Sequence, residues 1–204
     1  TFVTTPGGSD SQSVVNAAIT ISNRKNGNAK GMLVSEILDG KGNIVGSCST
    51  PIDIKPYCET EVSQQMQVND PHLWSPETPY LYRMRTCIMD GNELADEYVT
   101  PFGIRSIDYT TEGFFLNGKP YKIKGTCNHQ DHAGVGVAVP DELLLYRLRL
   151  LKEMGSNGYR CSHNPPSPQL LDMCDSIGMI VIDENRKFSS TPTGLNNLTT
   201  LVMR

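Results

Sequence analysis

No stretch of this sequence approaches the ~20 consecutive apolar residues that a membrane-spanning helix requires. Nor is there an excess of one charge: 18 Lys and Arg stand against 22 Asp and Glu, for a net charge of -4. That balance argues against a nucleic-acid partner, because phosphate binding needs clustered cations. The six cysteines include no Cys-x-x-Cys pair, which removes the zinc-ribbon and thioredoxin-like spacings. They read as free thiols rather than disulfides. Cys161 and Cys174 lie in apolar segments, where a thiol acts as a small hydrophobe. No basic and apolar leader opens the chain, which starts Thr1-Phe2-Val3-Thr4-Thr5-Pro6, and its compartment is left open. There is no internal repeat and no low-complexity tract. What is present is an ordinary globular composition. At 38% apolar, 204 residues can bury the core of one large domain or two small ones.

The hydrophobic period changes partway along. Up to about residue 108 it is two. Val15, Ala17, Ile19 and Ile21 alternate with polar neighbours, as in a half-buried strand. Asp39-Gly40-Lys41-Gly42 and Asp90-Gly91-Asn92 punctuate such runs as hairpin turns. Val62, Met66 and Val68 share a face with Gln64, and Tyr80, Tyr82, Met84, Thr86 and Ile88 share another. Val99 to Ile107 reads as a last short strand. Several short strands with regular turns predict an antiparallel sandwich. From about residue 109 strands alternate with helices. Strands are expected at Tyr121 to Cys127, Asn157 to Cys161 and Met179 to Asp183. Helices are expected at Asp141 to Met154, with Asp141 as cap, at Pro168 to Ile177, stopped by Gly178, and from Leu195 onward. Such alternation implies parallel strands joined by crossovers. The expected domains are 1–108 and 109–204, with the boundary near Asp108 to Glu112.

Polar clusters follow the apolar strands of the second half: Asn128-His129-Gln130-Asp131-His132, then Arg160-Cys161-Ser162-His163, then Asp183-Glu184-Asn185-Arg186. In a parallel β/α fold the carboxyl ends of the strands form the ligand-binding edge. His129, Asp131, Arg160, His163 and Glu184 are therefore the candidate binding residues. Bland alternatives stand beside this. Arg160 and Glu184 can simply neutralise each other in the interior, and Asp131 and His132 can belong to a solvated loop. A third alternative, zinc held by His129, His132 and His163, demands strict tetrahedral geometry.

Trp74-Ser75-Pro76-Glu77-Thr78-Pro79-Tyr80-Leu81-Tyr82, Phe102-Gly103-Ile104-Arg105 and Phe115-Leu116-Asn117-Gly118-Lys119-Pro120 resemble the immunoglobulin-like domain of family 2 glycoside hydrolases and its join to the catalytic barrel. Lys124-Gly125-Thr126-Cys127-Asn128-His129, Met154-Gly155-Ser156-Asn157, Arg160-Cys161-Ser162-His163-Asn164-Pro165, Cys174-Asp175 and Ile182-Asp183-Glu184-Asn185 continue that family's order. The resemblance implies a multidomain fold: an all-β immunoglobulin-like sandwich followed by an incomplete (β/α)8 TIM barrel, its first three β/α units. It implies a retaining exo-β-glycosidase, β-galactosidase-like, whose two glutamates both lie beyond Arg204. Catalytic residues are thus expected to be absent here. His129 and His163 would contact sugar hydroxyls, Arg160 would orient a carboxylate, and Glu184 would face or support the pocket. The partner implied is a β-glycoside, with neither nucleic acid nor membrane involved and no cofactor. An unclosed barrel would also leave apolar faces open to self-association. Two departures stand out. Cys127 replaces a frequent Asn, with loss of a polar contact expected. Lys187-Phe188-Ser189-Ser190 lacks the acidic residue and His that hold magnesium in some members, so no metal is expected there. The competing view is a non-catalytic carbohydrate-binding or scaffolding protein.

Overall fold

The computed structural model describes residues 1–7, 11–186 and 189–202, with side chains up to residue 200. The chain forms two compact units: Thr1–Trp74 with Tyr80–Pro120, and Ser75–Pro79 with Tyr121–Arg204.

In the first unit, β1 (Phe2–Thr4), β2 (Gln12–Ser22) and β5 (Glu59–Asn69) form one antiparallel sheet in the order β1-β2-β5. Strands β3 (Ala29–Leu38), β4 (Ile44–Ile54), β6 (Tyr82–Asp90) and β7 (Glu93–Phe102) form a second, in the order β4-β3-β6-β7. The alternation read from the sequence is the cause. Val15, Ala17, Ile19 and Ile21 of β2 point to the same core as Leu33, Ile37, Ile54, Met66, Val68 and Met84. Gln64 falls on that buried face, and its side-chain NH2 donates there to the Leu33 carbonyl (3.2 Å) and the Thr50 hydroxyl (2.9 Å). The β3–β4 turn is built on Asp39, whose Oδ1 accepts from the amides of Lys41 and Asn43, both at 2.8 Å.

Two strand readings need correction. Tyr80 precedes β6, which starts at Tyr82. The strand expected over Val99–Ile107 is in fact β7, beginning at Glu93 and ending at Phe102. As an edge strand it is exposed over most of its length, so no apolar alternation marks its start. Residue Ile107 instead opens a small sheet of β8 (Ile107–Thr110), β9 (Gly113–Leu116) and β10 (Lys119–Pro120). The chain breaks at Gly103 because Trp74, 2% exposed, lies against it. A Cβ at Gly103 would sit 2.8 Å from the Trp74 Cβ. Arg105 stacks on the indole at 4.8 Å, and Asn117 donates to the Trp74 carbonyl at 3.0 Å.

In the second unit, β11 (Gly125–Asn128), β12 (Gly158–Cys161) and β13 (Ile180–Ile182) are parallel neighbours in that order. They are joined by α1 (Asp141–Glu153) and α2 (Pro168–Ile177), and α3 (Pro192–Val202) follows. Tyr159 and Cys161 pack against Leu148, Leu170, Cys174 and Met179. Burial pushes the Cys161 and Cys174 thiols up to about 12, so both are neutral core side chains. All six cysteines are free, with Cys58 and Cys127 exposed.

Here too details differ from expectation. Tyr121–Lys124 is not strand. The Lys124 amide donates to the Asn157 side chain at 2.6 Å, and the Lys124 carbonyl accepts from the Ser156 hydroxyl at 2.9 Å. The Lys124 carbonyl also accepts from the Asn157 and Gly158 amides, at 2.9 and 3.2 Å, so side-chain and main-chain bonds are mixed here and no regular ladder forms. Asp141 lies inside α1, while Pro140 holds the cap position without a side-chain bond. Helix α3 starts at Pro192 rather than Leu195, with the Thr191 hydroxyl accepting from the Gly194 amide at 3.2 Å.

Helix α2 conforms to its sequence signals. Ser167 caps it through Leu170, Pro168 opens it, and Gly178 closes it in the left-handed region at φ 78°. The segment Ser75–Pro79 packs beside this end. Lys152 Nζ donates to the carbonyls of Pro76 and Gly178, both at 2.8 Å. Glu77 accepts from the Tyr121 hydroxyl at 2.7 Å. Burial first, then that carboxylate, pushes the Tyr121 phenol up to about 12.

Candidate functional site

Side-chain parity explains how the strands sort chemistry. Tyr159 and Cys161 turn toward the helices, so Arg160 between them must turn to the opposite face. The register places Cys127 beside Arg160 and Arg160 beside Ile182. These three residues share the face that a closed barrel turns inward. Glu184, two residues past Ile182, lies just beyond the carboxyl end of β13 and is only 6% exposed.

Three candidates converge there. Arg160 Nε donates to Glu184 Oε1. His163 Nδ1 lies 2.6 Å from Glu184 Oε2. Each carboxylate oxygen thus has its own nitrogen partner. The His129 ring lies edge-on to that of His163, with centroids 6.3 Å apart. Asp131 is different: it is exposed and engages through its main-chain carbonyl, which accepts from Arg147 at 3.1 Å. His132 is exposed too, with Nδ1 at 2.9 Å from the Ala133 carbonyl oxygen. Among the described residues no group of three or more His, Cys, Asp and Glu is arranged to hold a metal ion. Of the stretch read as lacking magnesium ligands, Lys187 and Phe188 lie outside the described residues.

Cys127 was not among the candidates, yet it belongs to this assembly. Arg160 Nη1 donates to its sulfur at 3.4 Å. Cys127 thus makes a polar contact of its own at the position where the loss of one was expected. The Arg160 hydrogen bond holds the Cys127 thiol below its ordinary value.

Hydrogen bonding from His163, and then from Arg160, holds the Glu184 carboxyl below its ordinary value, although burial opposes this. The folded chain therefore binds the Glu184 proton less readily than the unfolded chain. The stabilisation is complete above the unfolded value, about 4.3, and is lost as pH falls through the lower folded one. Urea unfolding of this chain between about pH 5 and about pH 3 is expected to show a steeper loss of stability than in Glu184→Gln. Equal slopes would show that the Glu184 carboxylate is not held by these partners.

A neutral imidazole whose Nδ1–H is fixed by a carboxylate presents Nε2 as an acceptor. An acceptor on His163, a second imidazole nearby and a guanidinium suit a hydroxyl-rich ligand. They stand at the carboxyl ends of parallel strands, the edge where ligands bind in β/α folds, and an antiparallel sandwich precedes them in the chain, which is the layout of a modular β-sandwich and β/α protein. The chain belongs to family 2 of the glycosyl hydrolases. Residues 1–105 match the model described as "Glycosyl hydrolases family 2", and residues 107–200 match that family's "TIM barrel domain". The β-galactosidase BoGH2A of Bacteroides ovatus is 42% identical over 185 residues, which are 90% of this chain and 22% of that protein. A β-galactosidase of Thermoanaerobacter pseudethanolicus is 34% identical over 177 residues, 86% of this chain and 23% of that one. Among solved structures, a Bacteroides uniformis β-glucuronidase superposes with a TM-score of 0.87 at 34% identity, over 96% of this chain and 24% of that chain. This chain thus spans about a fifth of the length of the curated relatives it matches.

Proposed function

We propose that this chain is the sandwich and the first three β/α units of a retaining exo-β-glycosidase, β-galactosidase-like, and that it forms the non-catalytic side of the sugar pocket. The observation that carries this is the Glu184 carboxylate shared by Arg160 and His163 at the strand ends. His163 Nε2 and the His129 ring contact sugar hydroxyls, Arg160 orients carboxylates, and Asp131 lies at the pocket rim. The proposed domain limits 1–108 and 109–204 lie near the point where the two family matches meet, between residues 105 and 107, whereas the compact units part at Pro120 and Tyr121.

Retaining hydrolysis needs an acid/base and a nucleophile whose carboxyls lie about 5 Å apart. In this proposal both come from barrel strands beyond Arg204, and this segment alone is inactive. Relatives named β-galactosidase (42% and 34% identical) and β-glucuronidase (38% and 39% identical) both match, and the galactoside is proposed on the first of them.

The test compares this chain with one extended through eight barrel strands, on aryl β-galactoside, β-glucuronide, β-glucoside and β-mannoside. Cleavage by the extended chain alone, fastest on the galactoside, is expected. Cleavage by this chain would place a catalytic carboxylate pair inside it. An extended chain that binds sugar without cleaving any of the four would favour a carbohydrate-binding protein.

A further inference from the structure

The loop after β11 carries His129, and its main chain leaves the sheet at that residue. The last parallel-ladder tie is the Ser162 amide, which donates to the Asn128 carbonyl at 3.0 Å. Further on, the chain folds on itself. The His132 amide donates to the Gly136 carbonyl at 2.9 Å, and the Gly136 amide donates back to the His132 carbonyl at 3.0 Å. Between these two anchors lie His129, Gln130 and Asp131.

A single guanidinium spans that gap. Arg147 Nη2 donates to the His129 carbonyl and Nη1 to the Asp131 carbonyl, each at 3.1 Å. Arg147 stands midway along α1, one residue before the fully buried Leu148. Its main chain is therefore fixed by the helix, whose Leu148 packs with Tyr159 and Cys161 of β12. A planar fork with two parallel N–H groups sets the separation and orientation of two carbonyls, which a single-donor side chain cannot do.

We propose that Arg147 is a positioning residue for sugar binding and turnover: it fixes the main chain at His129, and through it the direction of the His129 imidazole. This rests on the proposal above that His129 contacts the sugar. Arg147 itself touches no substrate. It is to His129 what Glu184 is to His163, an anchor supplied from another element.

The test is a double-mutant cycle in the full-length enzyme, with kcat and KM measured on aryl β-galactoside. Arg147→Met is expected to lower kcat/KM about tenfold. In the His129→Ala background the same substitution is expected to change kcat/KM less than twofold, because the side chain it positions is gone. Arg147→Lys, which keeps the charge but replaces the planar two-nitrogen fork with one ammonium nitrogen, should fall between Met and the parent. If Arg147→Met does not fold, Arg147→Lys and Arg147→Gln carry the same cycle. Equal losses with and without His129 would overturn the proposal, since Arg147 would then act on the fold at large. So would an unchanged Arg147→Met in an enzyme that His129→Ala impairs. If His129→Ala is itself neutral, it is the sugar-contact assignment of His129 that falls.

Discussion

Glu184→Gln in the full-length enzyme is expected to lower kcat/KM by roughly ten- to a hundred-fold, at least as much as His163→Ala. The carboxylate offers acceptors to two donors, Arg160 Nε–H and His163 Nδ1–H. Glutamine has the same shape but one acceptor oxygen and one NH2 group, so one of the two donors must face another donor. Arg160 cannot give up its proton. His163 can adjust only by moving its proton to Nε2, so that Nδ1 accepts from the new amide. The ring then shows the pocket a donor where it had shown an acceptor. A hydroxyl bound by the parent enzyme must rotate or lose its bond. His163→Ala removes the contact without inverting it, and tenfold is expected for that loss. Both variants should be assayed on aryl β-galactoside, with circular dichroism confirming the fold. Parent-like kcat/KM in both would remove this assembly from the pocket.

The largest stability effect is expected at Gly178. The residue sits at φ 78°, and a Cβ there would lie 2.4 Å from the Pro76 carbonyl oxygen. Alanine in the left-handed region costs about 1–2 kcal/mol. The clash is with backbone, which no rotamer change relieves, and overpacking of that kind adds about 1–3 kcal/mol. Moving Pro76 away also disturbs the Lys152 ammonium, which bonds that carbonyl and the one of Gly178. About 3 kcal/mol is therefore expected for Gly178→Ala by urea unfolding of this chain. Gly155→Ala is the control. Gly155 has φ 90° but nothing within 4 Å of its Cβ position, so only the conformational cost of about 1–2 kcal/mol applies. Equal losses in the two variants would mean that the Pro76 contact contributes nothing.

The sequence was most legible where one period dominates and a known terminator follows. Helix α2 was read to the residue because Pro168 can open a helix and Gly178 can close it, while the Ser167 cap was not singled out. The sandwich strands with a buried face, β2 and β5, were equally plain. Strand β7 was half missed because an edge strand facing solvent has no apolar alternation to show. Tyr121–Lys124 was misread as strand because the groups that hold it, among them the Ser156 and Asn157 side chains, lie more than thirty residues on. The site divides in the same way. Strand-end position alone pointed to Arg160, His163 and Glu184, and the structure joins those three. Cys127 and Arg147 were overlooked, since what they do depends on register and on helix packing. Nothing in their local sequence marks it.

The excursion of Ser75–Pro79 has a consequence for how the chain is made. On a ribosome Pro76 emerges about 100 residues before Gly178, an interval of roughly 5–20 seconds. Glu77 must likewise wait for Tyr121, and the Pro76 carbonyl for Lys152. During that interval the nascent sandwich holds a five-residue loop whose partners have not yet been synthesised. The second unit is thus assembled around a piece delivered in advance.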